Sequence, residues 1–184
     1  SSFAGFENII ILKTGYTCSG GYELYIPNHS TGFVWDALFS QKEFNLKPIG
    51  LAARDTLRIE MGYCLYGNDI NEDITTEEAN LRWITKIETN FIGSQIINEQ
   101  IQNGCDKKLI GFKLKEKSIP RKDYEIFDKE NKFIGKVTSG TFSPILKKGI
   151  GLAHINYINR KDDLIYIKIR NNIYQAEIIK TPFI

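Results

Sequence analysis

Six short runs rich in β-branched and aromatic residues, KLIGFKL, YEIFD, FIGKVTS, GIGLAHINYI, DLIYIKIR and IYQAEIIK, crowd the second half of the chain from Lys107 onward. Only polar, Gly or Pro breaks separate them, so the pattern predicts six strands in a small barrel or sandwich. The junction Arg170-Asn171-Asn172-Ile173 reads as a two-residue hairpin, because Asn tolerates the positive φ of a type I′ turn. His154, inside GIGLAHINYI, reads as a core or edge residue of such a strand.

The first half mixes two periods. Tyr22, Leu24 and Ile26 alternate with Glu23 and Tyr25, which predicts a half-buried strand with Glu23 on the face opposite Tyr22. Phe33, Val34, Ala37 and Leu38 fall at helical spacing over residues 31–41, and residues 50–61 form a second predicted helix closed by Gly62. Thr75 and Glu78 make a capping box for a short helix through Leu81, and a third helix runs from Ser94, as N-cap, to a stop at Gly104. The change of pattern puts a domain boundary near residues 88–93, dividing the chain into residues 1–90 and 91–184. The fold class expected is α+β.

At 42% hydrophobic and 25% charged residues, the 184-residue chain has the composition of a globular protein with one large or two small cores. No apolar run reaches the length of about 20 residues that a membrane span needs, and SSFAGFENIIIL lacks the features of a secretory signal. The expectation is a soluble protein not exported by this segment. A net charge of +2, with Lys and Arg scattered, argues against nucleic acid. Cys18, Cys64 and Cys105 are odd in number and widely spaced, which fits reduced thiols, and neither His29 nor His154 has a second metal ligand close in sequence. No metal is expected.

The segment GLAARDTLRIEMG sets Arg54 and Arg58 four apart on one helix face, an unfavourable like-charge pair unless something answers it. Asp55 and Glu60 could do so as surface salt bridges. The apolar neighbours Leu51, Ala52, Ala53, Leu57, Ile59 and Met61 instead predict a largely buried helix, where a guanidinium needs a specific planar partner. Glu23 poses the complementary problem, since a carboxylate between Tyr22 and Tyr25 falls where burial is expected. Adjacent N–H donors on a heterocycle would suit a bidentate carboxylate, with an aromatic wall to stack the ring. A lysine on a neighbouring strand, or Arg54 itself, would also satisfy it. Residue types leave these readings open.

Several segments resemble the glycine-cleavage aminomethyltransferases, the T-protein family. TGYTCSGGYELYIP is similar to that family's TGYTGExGYEIYIP strand, and GLAARDTLRIEMGYCLYGNDI follows at the usual interval. IGFKLKEKSIPRKDYEIFD resembles the start of the family's C-terminal barrel, VTSGTFSPILKKGIGLAHI its longest barrel signature, and the chain closes with a PF dipeptide. The resemblance runs over nearly the whole chain but only over the C-terminal half of the family's length. It implies a partial folate-binding α+β domain over residues 1–90, then a six-stranded antiparallel Greek-key β-barrel domain over residues 91–184.

The resemblance also implies a function. The family transfers a one-carbon unit from the aminomethylated lipoyl arm of H-protein to tetrahydrofolate, with release of ammonia and without a metal, in the cytoplasm or in the mitochondrial matrix of a eukaryote. Glu23 and Arg54 occupy the family's folate-contacting positions, and Arg121, in SIPRKDY, is a second-tier candidate whose structural alternative is a salt bridge to Asp123 or Glu125. The family's catalytic aspartate belongs to a portion upstream of Ser1, so the 184 residues alone are expected to be inactive. The chain departs from the family pattern at Cys18, where glycine is usual, and at Ser19, where an acidic residue is frequent. Folate-dependent demethylases and the C-terminal regions of dimethylglycine or sarcosine dehydrogenases are the related alternatives, and a non-catalytic folate-binding fragment is another. The KGCYxGQE-type motif of the iron–sulfur assembly relatives is absent.

Overall fold

Strand alternation in the second half places Ile110, Phe112 and Leu114 on one face of a strand and Ala153 and Ile155 on its neighbour, and these side chains fill one core. The computed structural model describes residues 2–157 and 162–184. Two compact units emerge, Ser1–Leu57 and Arg58–Ile184.

In the second unit the expected strands form as β3 (Lys107–Leu114), β4 (Glu125–Phe127), β5 (Phe133–Ser143), β6 (Lys148–Asn156), β7 (Leu164–Ile169) and β8 (Asn172–Ile179). They close into a barrel in the order β3-β6-β5-β4-β7-β8, with every pair antiparallel. The consecutive strands β4, β5 and β6 lie side by side and β7 returns beside β4, which is the Greek-key connection. Closure removes the unpaired edges that an open sheet of this composition would expose. The expected strand over residues 149–158 ends at Asn156, and Ile158 lies outside the described residues. The β7–β8 turn sits one residue earlier than expected. Ile169 pairs with Asn172, so Arg170 and Asn171 are the loop residues, and it is Arg170 that takes the positive φ of 57°.

β6 is buried on both faces. Its inward residues join the barrel core, while Ile150 and Leu152 on the outer face pack with Ile59, Leu109 and Phe183 in a second cluster. Gly135 of β5 permits the tight approach there, because a Cβ would fall inside van der Waals contact of the His154 carbonyl oxygen. Ahead of the barrel lies helix α3 (Ser94–Asn103). Gly93, at φ 91°, is its N-cap, so Ser94 is the first helical residue and not the cap. The capping box at Thr75 does form, with the Thr75 amide donating to Glu78 Oε2 at 2.9 Å and the Glu78 amide to Thr75 Oγ1 at 3.1 Å. It caps a single turn instead of a helix, since Asn80 takes a left-handed φ of 59°.

The division between the units falls inside helix α2 (Leu51–Glu60). Only its last turn is buried, in contrast to the burial expected along the whole helix. Arg58, 1% exposed, donates from one guanidinium nitrogen to Asp69 Oδ2 at 2.8 Å and to the Tyr63 carbonyl at 2.9 Å, and from the other to Ser139 Oγ at 2.7 Å. Asp69, fully buried, also accepts from the Leu65 amide at 2.9 Å and from the hydroxyls of Thr138 and Ser139. Thr138 and Ser139 are consecutive, and on a regular strand would point to opposite faces. A register shift between Val137 and Ser139 turns both hydroxyls to the same carboxylate. His154 completes the cluster, its Nε2 lying 2.7 Å from the Asp69 carbonyl.

The first unit is built differently. β1 (Ile10–Leu12) pairs with β2 (Glu23–Tyr25), and α1 (Thr31–Phe39) follows. Among the described residues of this unit only Ile9, Ser30 and Val34 are buried, while Phe33, Trp35, Phe44, Ile49 and Leu51 are more than half exposed. The half-buried strand expected here is accordingly more open, with Tyr22 68% exposed. Two three-residue strands and a short helix supply too few apolar partners to cover one another. The loop joining β1 to β2 turns through left-handed residues at Cys18 (φ 56°), Gly20 (φ 73°) and Gly21 (φ 136°).

Three outcomes test these features. Asp69→Ala strands the Arg58 charge in the interior and should cost about 3–5 kcal/mol in chemical denaturation; a loss below about 1 kcal/mol would show that the pair anchors nothing. Burial, aided by the Lys107 charge, holds the His154 imidazole below the ordinary histidine value despite its bond to the Asp69 carbonyl. As pH falls through about 6.5 the unfolded chain takes up this proton before the folded one does, so the stability contribution present above that pH is lost on acidification. Stability should therefore fall more steeply between about pH 7 and pH 5 in the wild type than in His154→Gln, and equal slopes would exclude the group. Cys18→Gly should relieve left-handed strain and slow hydrogen exchange across the β1–β2 ladder by up to about 1 kcal/mol, and faster exchange would contradict it.

Candidate functional site

Within the first unit, Glu23 opens β2 opposite Leu12 of β1, and its side chain is exposed. The Thr14 hydroxyl donates to its Oε2. Two residues on, the Tyr16 ring carries the Arg54 guanidinium at 4.8 Å from its centroid, a cation–π geometry. The β1–β2 loop therefore touches both residues singled out from sequence, through Thr14 and Tyr16. Neither alternative partner for Glu23 is taken up: no lysine on a neighbouring strand and no Arg54 side chain forms an ion pair with it among the described residues.

Both groups keep hydrogen-bonding capacity. A carboxylate offers about four lone-pair sites and Glu23 uses one of them on Thr14. The Arg54 guanidinium lies over the Tyr16 ring, a contact that engages its charge and none of its N–H donors as hydrogen bonds. An exposed carboxylate and a planar cation, each touched by the same loop, can take a flat heterocycle that presents N–H donors and a carbonyl.

Arg121 belongs to the second unit, exposed in the connection between β3 and β4. The salt bridge to Asp123 or Glu125 that was its structural alternative is not among the ion pairs of the described residues. Glu125 pairs with Lys168 at 3.7 Å, and Asp123 sits in a turn at φ 69° with its amide donating to the Val137 carbonyl at 2.9 Å. The next residue, Lys122, ties the connection down by donating to Asn68 Oδ1 at 2.6 Å and to the Gly67 carbonyl at 3.2 Å.

A cleft of the second unit, about 520 Å³, is lined by Met61, Cys64, Trp83, Leu109, Lys180 and Thr181 among others. Trp83 is 82% exposed and offers an aromatic platform at its rim. Burial first, then the Asp69 charge, pushes the Cys64 thiol up to about 11, with Arg58 pulling weakly the other way. Cys64 is therefore a thiol and a poor nucleophile at neutral pH. Cys105 is raised by burial as well, and all three cysteines are thiols outside any disulfide. Among the described residues no group of His, Cys, Asp and Glu is arranged to hold a metal.

Sequence reasoning missed Asp69, Ser139 and Ser143. Glu60, considered as a surface partner for the arginine pair, is instead 1% exposed and accepts from the Ser143 hydroxyl, while Arg58 takes Asp69. The apolar residues flanking Arg58 were the available signal for its burial. Nothing in LYGNDI marked Asp69 as its partner, because the two meet only through the fold.

Comparison with known proteins agrees with this architecture. Residues 2–89 match the GCVT N-terminal domain, and residues 107–184 match the glycine cleavage T-protein C-terminal barrel domain. The chain is 46% identical to an aminomethyltransferase of Flavobacterium psychrophilum over 183 residues, covering 98% of this chain and 51% of that protein. An aminomethyltransferase of Porphyromonas gingivalis is 47% identical over 187 residues, with 99% and 52% covered. The crystal structure of glycine cleavage system aminomethyltransferase T from Bartonella henselae superposes with a TM-score of 0.87 at 28% identity, over 98% of this chain and 51% of that one. The chain thus spans about half the length of the curated relatives it matches. With both halves of its sequence matched in order and the closed barrel in place, the chain belongs to the glycine cleavage T-protein family.

Proposed function

We propose that the chain is the C-terminal half of a tetrahydrofolate-dependent aminomethyltransferase of the glycine cleavage system. In this reading residues 1–90 contribute to the folate-binding domain and residues 91–184 form the barrel domain. The one-carbon unit comes from the aminomethylated lipoyl arm of H-protein and passes to tetrahydrofolate, and ammonia leaves. The compartment is the cytoplasm, or the mitochondrial matrix in a eukaryote; no helix among the described residues is long and apolar enough to cross a membrane.

The observation that carries the reading is the β1–β2 loop, which holds Glu23 through Thr14 and Arg54 through Tyr16 while leaving both exposed. Glu23 would accept from the adjacent N–H donors of the pterin edge, and Arg54 would donate to a carbonyl or anionic group of the same molecule. Arg121 is a second-tier contact. Catalysis then rests on holding the folate nitrogen against the transferred carbon and on stabilising charge, with no metal called for. The aspartate that acts on the reacting nitrogens would come from the half of the family's length that these residues do not span.

Calorimetry with tetrahydrofolate should find weak binding by residues 1–184, and assays with aminomethylated H-protein should find no turnover. Joining the chain to the N-terminal half of a relative should restore both. In the joined protein Glu23→Ala or Arg54→Ala should each weaken folate binding by about 1–3 kcal/mol, the cost of one charged hydrogen-bond partner. Unchanged affinity in both variants would remove these residues from the site, and robust turnover by residues 1–184 alone would contradict the division of labour.

A further inference from the structure

His154 stands on the outer face of β6 and is 8% exposed. Its Nε2 lies 2.7 Å from the backbone carbonyl of Asp69, and a carbonyl can only accept. Nε2 therefore carries the hydrogen, and in the neutral ring Nδ1 is left with a lone pair. That Nδ1 is buried and has no hydrogen-bond partner among the described residues. Buried polar atoms left in this state are rare and call for an explanation.

His154 lines a cleft of about 300 Å³ together with Asn68, Asn71, Lys107, Lys136 and Thr138. Lys136 is directly opposite His154 in the β5–β6 ladder, so the two side chains share a face. Leu109 is opposite His154 in β3, and Lys107, two residues away, shares that face as well. Both lysines are exposed, and neither forms an ion pair among the described residues. The two asparagines have committed their oxygens, Asn68 Oδ1 to Lys122 Nζ and Asn71 Oδ1 to the Asp73 amide, so they turn their amide N–H groups to further partners. Thr138 gives its hydroxyl hydrogen to Asp69.

The inventory of the cleft is thus two ammonium groups and two amide donors set against two neutral acceptors, the His154 Nδ1 and the Thr138 hydroxyl oxygen. A bare oxyanion would satisfy the donors and leave Nδ1 facing another lone pair. A water would satisfy Nδ1 but brings no negative charge to set against the two ammonium groups. We propose that this cleft is a binding site for a small oxyanion that carries its own O–H, of which hydrogen phosphate is the simplest: the hydroxyl donates to His154 Nδ1 while the remaining oxygens accept from Lys107, Lys136 and the asparagine amides. The site lies wholly in the second unit, and it is independent of the folate reading for Glu23 and Arg54.

The test is a titration of residues 1–184, with histidine ring nitrogens labelled, against inorganic phosphate and separately against sulfate at matched ionic strength and neutral pH. Sulfate has the same shape and no O–H at this pH. The His154 Nδ1 signal should shift saturably with phosphate, His29 should not move, and phosphate should bind about tenfold more tightly than sulfate. The double variant Lys107→Ala with Lys136→Ala, both at exposed positions, should weaken phosphate binding by about tenfold or more with the barrel's circular dichroism intact. His154→Gln should abolish the preference for phosphate over sulfate. Absence of a saturable shift, equal affinity for the two anions in the wild type, or phosphate affinity unchanged in the lysine variant would each overturn the proposal.

Discussion

The buried pair of Arg58 and Asp69 is the constraint around which the second unit is organised. Two opposite charges removed from water are costly unless every remaining donor and lone pair is met, and here the meeting is thorough. Asp69 is answered by a guanidinium, a backbone amide and two hydroxyls, while Arg58 reaches a carboxylate, a carbonyl and a hydroxyl. Those partners come from α2, from the segment after it and from β5, so the pair binds chain segments some seventy to eighty residues apart. The irregularity in β5 is what makes this possible, since a regular strand would have turned Thr138 or Ser139 into the barrel. The same charges set the chemistry nearby, because the Asp69 carboxylate helps to keep Cys64 protonated.

The first unit obeys no comparable constraint. Its exposed aromatic and aliphatic side chains outnumber its three buried residues, and its polar candidates are held by single contacts from one loop. Phe6 and Phe33, 5.8 Å apart, and Trp35 and Phe39, 4.6 Å apart, form local pairs instead of a core. An apolar surface of this extent is the mark of an interface.

The legible part of the fold was the part governed by local periodicity. All six barrel strands could be read from local runs of β-branched and aromatic residues and the polar, Gly or Pro breaks between them, because such residues suit a pleated, packed surface whatever the distant chain does. α1 and the extent of α2 were legible on the same grounds. Depth of burial was not. The apolar residues of GLAARDTLRIEMG predict a covered helix, yet Leu51 is 81% exposed, since covering surface must be supplied by other segments and composition does not report whether they are there. The partner of Arg58 was hidden for a related reason, as was the β7–β8 register, where Arg170 accepts a left-handed φ that its residue type disfavours. Glu23 and Arg54 were reachable from residue types and from resemblance together, whereas the contacts that hold them, Thr14 and Tyr16, emerged only from the loop's geometry.

Helix α2 carries two arginines one turn apart whose situations illustrate a general division. Arg58 has spent its donors on a carboxylate, a carbonyl and a hydroxyl, and the fold gains a fixed point in exchange. Arg54 has only an aromatic face beneath it, so its N–H groups are still available. The two glutamates divide in the same way, Glu60 being buried against Ser143 and Glu23 exposed with a single threonine donor. A group that stabilises a fold must have its hydrogen bonds satisfied internally, and a group that binds a ligand must not. By this criterion Arg58 and Glu60 belong to the fold, while Arg54, one turn from Arg58, keeps its hydrogen-bonding capacity. The same reasoning separates the two nitrogens of His154, one committed to the fold through the Asp69 carbonyl and one left uncommitted beside two lysines.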